Sequence, residues 1–178
     1  LNCLLALACL NAVALAAPQT FDFKDPKGVN NAVFKLDAPL EAVNGSANGI
    51  SGTVTFDPAD PSATKGKITV ASASLHVGNS MQQTHMHSDK WLDVAKYPEI
   101  TFETKEVKNA RTSGDTTTAD VTGNFTLKGI SKVITTPVKL TYLKDKLGQR
   151  VPNMKGDLLV IRASFNIKRS DFGINQGQ

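Results

Sequence analysis

The sequence predicts an all-β fold, an antiparallel β-barrel of about eight strands with one short helix between strands. Three observations lead there. Beyond residue 17 the apolar residues recur with period two, alternating with Thr, Lys, Ser or Asp, as half-buried antiparallel strands do. The alternating stretches are separated by short connections rich in Gly, Pro, Asn and Asp. A single segment, Asn79 to Tyr97, breaks the period. Regularly spaced strands with one helical interruption read as a barrel or sandwich, and closing the sheet removes its exposed edges.

Taken in chain order, Ala32, Phe34 and Leu36 share one strand face, and Ile50, Gly52, Val54 and Phe56 share the next. Ile68 and Val70 have the parity of Ser72 and Ser74, whereas Ala71, Ala73 and Leu75 fall on the opposite one, so the inward face is open there. Asn79-Ser80 offers a helix cap and Pro98 a stop, which predicts a short helix plus loop lying across the barrel. Then come Ile100 and Phe102, followed by Val121, Gly123, Phe125 and Leu127, and then Val138, Leu140 and Tyr142. The longest alternation, Asp157 to Arg169, places Leu159, Ile161, Ala163, Phe165 and Ile167 on one face. Connections are expected at Asp57 to Gly66, Asn109 to Thr116, Gly129, and Lys144 to Gly156.

Leu1 to Ala16 is an uncharged, nearly continuous apolar run that closes on Ala14-Leu15-Ala16, the pattern of a secretory signal peptide. It is too short and interrupted to span a bilayer, which takes about 20 apolar residues. The expected arrangement is therefore a signal peptide over residues 1–16 and one domain over residues 17–178, exported to a periplasm-like or extracellular space. Both cysteines, Cys3 and Cys9, fall in the leader, so the mature domain is expected to use neither thiol catalysis nor a zinc–cysteine site. A lipid-modified Cys9 is disfavoured because the apolar run continues past it to Ala17.

The net charge of +4 and pI near 9.1 come from scattered Lys and Arg, and aromatics are only 6% of residues, which argues against nucleic-acid binding. An eight-stranded barrel either fills with side chains or leaves room for one small ligand. Moderate-sized inward residues, with Gly52, Gly123 and Ala163 among them, favour room. The expected lining is Phe34, Leu36, Val54, Phe56, Ile68, Val70, Phe102, Val121, Phe125, Leu127, Val138, Leu140, Leu159, Ile161 and Phe165, joined by Trp91 and Leu92 from the aperiodic segment.

Thr84 to Phe102 reads T-H-M-H-S-D-K-W-L-D-V-A-K-Y-P-E-I-T-F. Its His85-Met86-His87-Ser88, Trp91-Leu92-Asp93, Lys96-Tyr97-Pro98 and Thr101-Phe102 resemble the YceI-like family of exported polyisoprenoid-binding proteins. Gly52 to Asp57 with Asp60-Pro61, Gly123 to Lys132, and Phe165 to Gly173 agree with the same family, so the resemblance covers nearly all of the mature chain. It implies a lipocalin-like barrel whose lumen takes an isoprenoid quinone or another polyprenyl lipid, with no enzymatic activity and no cofactor. Transient membrane contact and homodimerisation are left open. The chain departs from the family at Gln82-Gln83, where Arg-Asp is common, and at His87, where Arg is common, so a head-group role for that acid–base pair is not carried over. Family members usually carry one more strand after the Asp-Phe-Gly turn, whereas this sequence stops at Gln178, which reads as truncation in preference to a barrel open on one edge.

One alternative, metal binding, has residues to support it. His85 and His87 form His-x-His, a metal pair on a strand but divergent by about 200° on a helix; a complete site also needs a third ligand such as His76 or Asp89. The competing reading has His85 hydrogen-bonding the helix to the barrel wall and His87 facing water. Ser, His and Asp are plentiful but stand in no nucleophile elbow, and no phosphate or dinucleotide loop is present, so catalytic residues are not assigned. At the barrel mouth Lys90, Lys96 or His87 could meet a polar head group.

Overall fold

The computed structural model describes residues 17–25, 27–37 and 42–174. The expected leader, residues 1–16, lies outside the described residues. Among the described residues there are ten strands: β1 (Gln19–Asp22), β2 (Ala32–Asp37), β3 (Ala42–Ala47), β4 (Ile50–Phe56), β5 (Lys65–Ala71), β6 (Leu75–Val77), β7 (Glu99–Ser113), β8 (Thr116–Leu127), β9 (Ile130–Leu143) and β10 (Leu158–Ala163). One helix, α1 (Ser80–His87), stands between β6 and β7, and a single helical turn, α2 (Leu147–Arg150), between β9 and β10. Seven strands form one antiparallel sheet in the order β1-β4-β5-β7-β8-β9-β10, and β2-β3-β6 form a second.

The seven-stranded sheet curls into a nearly closed barrel, the all-β architecture the alternation predicts. At one end the edge strand β1 is joined by side chains to β9 and to the residue before β10: Phe21 stands edge-on to Tyr142, 6.3 Å between ring centroids, and Gln19 hydrogen-bonds both Tyr142 and Asp157. A two-residue hairpin joins β8 to β9, where Leu127 pairs with Ile130 and both turn residues, Lys128 and Gly129, take positive φ. That is the two-residue turn whose twist suits an antiparallel pair.

Alternation holds where predicted. Ile50, Gly52, Val54 and Phe56 face inward on β4; Val121, Gly123, Phe125 and Leu127 on β8; Val138, Leu140 and Tyr142 on β9. The ambiguity around Ser72 resolves through a 3-10 turn, Ser72–Ser74, which ends the β5 parity and starts a new one, so that Ser72 is buried in one register and Leu75 and Val77 in the next.

Three expectations change. The predicted connection from Asn109 to Thr116 shrinks to Gly114-Asp115, because β7 runs on to Ser113 through two bulges, at Thr104/Glu106 and Lys108/Arg111. Each bulge moves the inward parity by one, taking it from Phe102 to Val107 and then to Ala110. The predicted strand from Asp157 to Arg169 stops at Ala163, which pairs with Val138. The next partner would be Pro137, which has no N–H for the ladder. Residues 164–168 leave the sheet, and Phe165 and Ile167 emerge 42% and 38% exposed.

The inward side chains form two clusters. One, towards α1, contains Leu75, Val77, Met86, Leu92, Phe125, Leu127 and Phe172. The other, towards the β7–β8 turn, contains Val54, Phe56, Val107, Val121, Val138, Leu140 and Leu159. Phe102 packs against both.

Candidate functional site

Of the seventeen residues expected to line the interior, sixteen stand on inward faces or on the segment after α1, but in two distinct conditions. Val54, Phe56, Leu92, Val121, Phe125, Leu127, Val138, Leu140 and Leu159 are buried. At 2% exposure Phe56 and Leu140 have no room beside them even for a water. Phe34, Leu36, Ile68, Val70, Trp91, Phe102 and Ile161 are only half-buried, Phe34 and Leu36 on the three-stranded sheet and Ile68, Val70, Phe102 and Ile161 on the barrel sheet. Phe165 differs: it lies off the strand, yet its ring meets Phe125 edge-on at 5.3 Å, and Phe125 also meets Phe172 at 5.5 Å.

A concavity of about 440 Å³ opens between the start of β9 and the segment after β10, lined by Val133, Ile134, Ile167 and Phe172 with Lys132 and Lys168 at its rim. It lies where β10 has left β9, so the side of β9 from Ile130 to Pro137 that faces away from β8 has no strand paired to it among the described residues.

The interior is electrically quiet. Among the described residues the buried polar side chains are Thr64, Ser72, Thr117 and Thr136, all neutral hydroxyls. Thr64 donates to Pro61 O at 2.6 Å, Thr117 pairs with Thr112 at 2.8 Å, and Thr136 donates to the Ser164 carbonyl at 3.2 Å. Of the shifted ionisable groups, Tyr142 faces inward from β9, and Asp157 and Asp25 sit at the periphery. Burial, reinforced by donation to Asp157 at 2.6 Å, pushes the Tyr142 phenol up to about 12. The same bond, with the Asp145 N–H donating to its other oxygen, holds Asp157 below the ordinary carboxylate value. Asp25 is also lowered, chiefly by the Asn30 N–H, and anchors the loop before β2 through Lys27, Val29 and Arg150 as well.

The histidines do not form a metal pair. Asn79 caps α1, its side-chain oxygen accepting from the Met81 and Gln82 N–H groups at 3.0 Å, so His85 and His87 stand on a helix. His87 Nε2 lies 2.9 Å from Leu75 O and 3.0 Å from Gln83 Nε2, while His85 is exposed. The roles are thus the reverse of those expected: His87, not His85, ties the helix to the wall. Among the described residues no three His, Cys, Asp or Glu side chains converge as metal ligands. Gln83, one of the family departures, donates to Leu75 O and accepts from Val77 N–H, both at 2.8 Å, and so covers the outer edge of β6. Of the expected head-group residues, Lys90 and Lys96 are exposed, Lys96 over the Tyr97 ring, whereas His87 is engaged.

Sequence reasoning missed Val107, whose parity the bulge alters, and Phe172, buried to 2% in the Arg169–Phe172 turn. The signal for Phe172 was the Asp-Phe-Gly tripeptide, where Gly173 at φ 62 turns the chain so that Phe172 meets Phe125. It also missed Arg169, whose guanidinium lies 5.0 Å from the Trp91 ring centroid.

A family model described as the YceI-like domain matches residues 25–178. The chain belongs to the YceI-like family. A UPF0312 protein of Pseudomonas paraeruginosa is 38% identical over 130 residues, which are 73% of this chain and 62% of that protein. Protein YceI of Salmonella arizonae is 35% identical over the same shares. The chain thus spans about three-fifths of the length of these curated relatives. Among solved structures, Burkholderia cenocepacia BcnA superposes with a TM-score of 0.54 at 21% identity, over 83% of this chain and 80% of that one, which shows a shared fold.

Proposed function

We propose that this YceI-like chain is an exported carrier or buffer for an isoprenoid lipid, a polyprenyl quinone or polyprenyl phosphate, which it shelters without altering. The observation that carries the reading is the half-buried inward set, Phe34, Leu36, Ile68, Val70, Trp91, Phe102 and Ile161. Apolar side chains beside a neutral interior suit hydrocarbon, and Tyr142, which faces inward from β9, stays protonated and uncharged there. The family resemblance supplies the ligand class, and the apolar leader supports export.

The energetics support a chain of isoprene units without any charged anchor. At about 0.8 kcal/mol per buried CH₂ equivalent, one unit contributes roughly 3–4 kcal/mol. Association costs on the order of 4–15 kcal/mol, so about five sheltered units offset even the high end. The branched, flexible tail enters beside Ile161 and Phe102, and its head remains at the mouth near Trp91, Arg169, Lys90 and Lys96.

The test is solvent extraction of the purified protein followed by mass spectrometry, together with titration by a polyprenyl quinone. A copurified polyprenyl lipid or saturable quinone binding is the expected result. Absence of both overturns the proposal.

A further inference from the structure

The outer face of the sheet carries a row of cations in register. Arg111 on β7 pairs with Thr118 on β8, Thr118 with Lys139 on β9, and Lys139 with Arg162 on β10. All four side chains are exposed, and they line one depression of about 780 Å³ with Asn109, Asp120 and Pro137. Lys139 and Arg162 are direct cross-strand neighbours, a like-charge placement that weakens a sheet. Among the described residues the ion pairs are Lys35–Asp37, Lys108–Glu106 and Arg150–Asp25, so no carboxylate neutralises the row. Asp120, the acid in the same depression, accepts instead from Asn109 Nδ2 at 2.7 Å. Glu106 is taken up by Lys108 on the same strand.

We infer that this face docks on an anionic phospholipid surface. The row crosses three inter-strand spacings, about 14 Å, which is wider than one phosphate and matches several adjacent head groups. It ends at Arg162 on β10, an edge of the nearly closed sheet, at the end of that strand away from the Gln19 and Phe21 bridge. Docking there brings the bilayer against the unjoined part of the seam, with half-buried Ile161 one residue from Arg162. The inference rests on the carrier reading for its purpose and on the charge row for its location.

The test is cosedimentation of the whole chain with vesicles of phosphatidylcholine, with and without phosphatidylglycerol. Binding is expected only with phosphatidylglycerol, and salt should weaken it. At about 1 kcal/mol for each basic residue near an anionic surface, the triple variant R111Q/K139Q/R162Q should bind on the order of a hundredfold more weakly. The control K65Q/K67Q/K105Q, which removes the same charge from β5 and the first half of β7, should bind nearly as the parent does. Circular dichroism confirms that both variants fold, and K139E alone serves if the triple variant does not. Equal loss in both triple variants, no binding to phosphatidylglycerol vesicles, or a response to inorganic phosphate without vesicle binding overturns the inference. Quinone uptake from neutral detergent micelles is measured separately, so a protein that loads quinone but ignores vesicles sinks the docking surface alone, and the converse sinks the carrier reading alone.

Discussion

The β7–β8–β9 block and the seam between β10 and β1 are made of similar residues, yet they pack differently. In the block, β8 is paired along its whole length with β9 and, but for Ala119 and Leu127, with β7, and it buries every second residue from Thr117 to Leu127. At the seam, β10 pairs with β9 over only six residues, β1 reaches Tyr142 on β9 and Asp157 just before β10 through side chains, and Ile161 and Phe165 keep much of their surface. An unbroken ladder on both sides goes with burial on β8, but Ile68 and Val70 stay half-buried on β5, which is also paired on both sides, so accessible apolar surface extends beyond the seam. Stability should therefore reside in the buried positions of the two clusters, and ligand contact at the half-buried inward positions.

The largest effect tests the filled side. Phe56, 2% exposed and against Tyr142 at 6.0 Å, should cost about 3–5 kcal/mol when replaced by Ala, read by urea denaturation. Ile68→Ala and Ile161→Ala, at half-buried inward positions, should each cost only about 1–2 kcal/mol while lowering quinone affinity. If these two destabilise as much as Phe56→Ala, the division between filled and accessible interior fails.

Next in size is the lock beside the seam. Tyr142 is held protonated by burial and by its bond to Asp157, so its folded value, about 12, lies above the unfolded value of 10.0. The stabilisation is complete below 10.0 and is lost as pH rises towards about 12. Asp157 and Asp25 act at the other extreme: their lowered values stabilise the fold above the ordinary carboxylate range, and that contribution is lost as pH falls through it. Tyr142→Phe should cost about 1 kcal/mol at neutral pH and flatten the alkaline limb of a stability–pH curve. An unchanged alkaline limb would show that the lock does not hold the seam.

How much of this was legible depended on whether period two was left undisturbed. On β4, β8 and β9 it was, and Val54, Phe125 and Leu140 face the side their parity assigns. Where the backbone inserts or withholds a residue, parity misleads. The bulges hid Val107, the 3-10 turn left Leu75 ambiguous, and Pro137 ended a ladder that alternation alone would have carried to Arg169. A side-chain pattern records which residues would like to be buried, but backbone partners decide where the strand stops. The helix was legible because its cap is local, whereas the bond from His87 to Leu75, twelve residues away, was not.

That bond supplies the smallest prediction. His87 and Gln83 together cover the edge of β6, so His87→Ala removes one contact to Leu75 O but leaves Gln83 bonded to both Leu75 and Val77. The expected loss is about 1 kcal/mol, and His85→Ala, at an exposed position, should change stability by less than about 0.5 kcal/mol. Because α1 and β6 border the cluster at the end of the barrel away from the β7–β8 turn, neither change should alter binding to anionic vesicles. A larger effect at His85 than at His87 would mean that the helix is fastened through a different face. The accessible surface near Trp91 would then belong to a mouth with another shape.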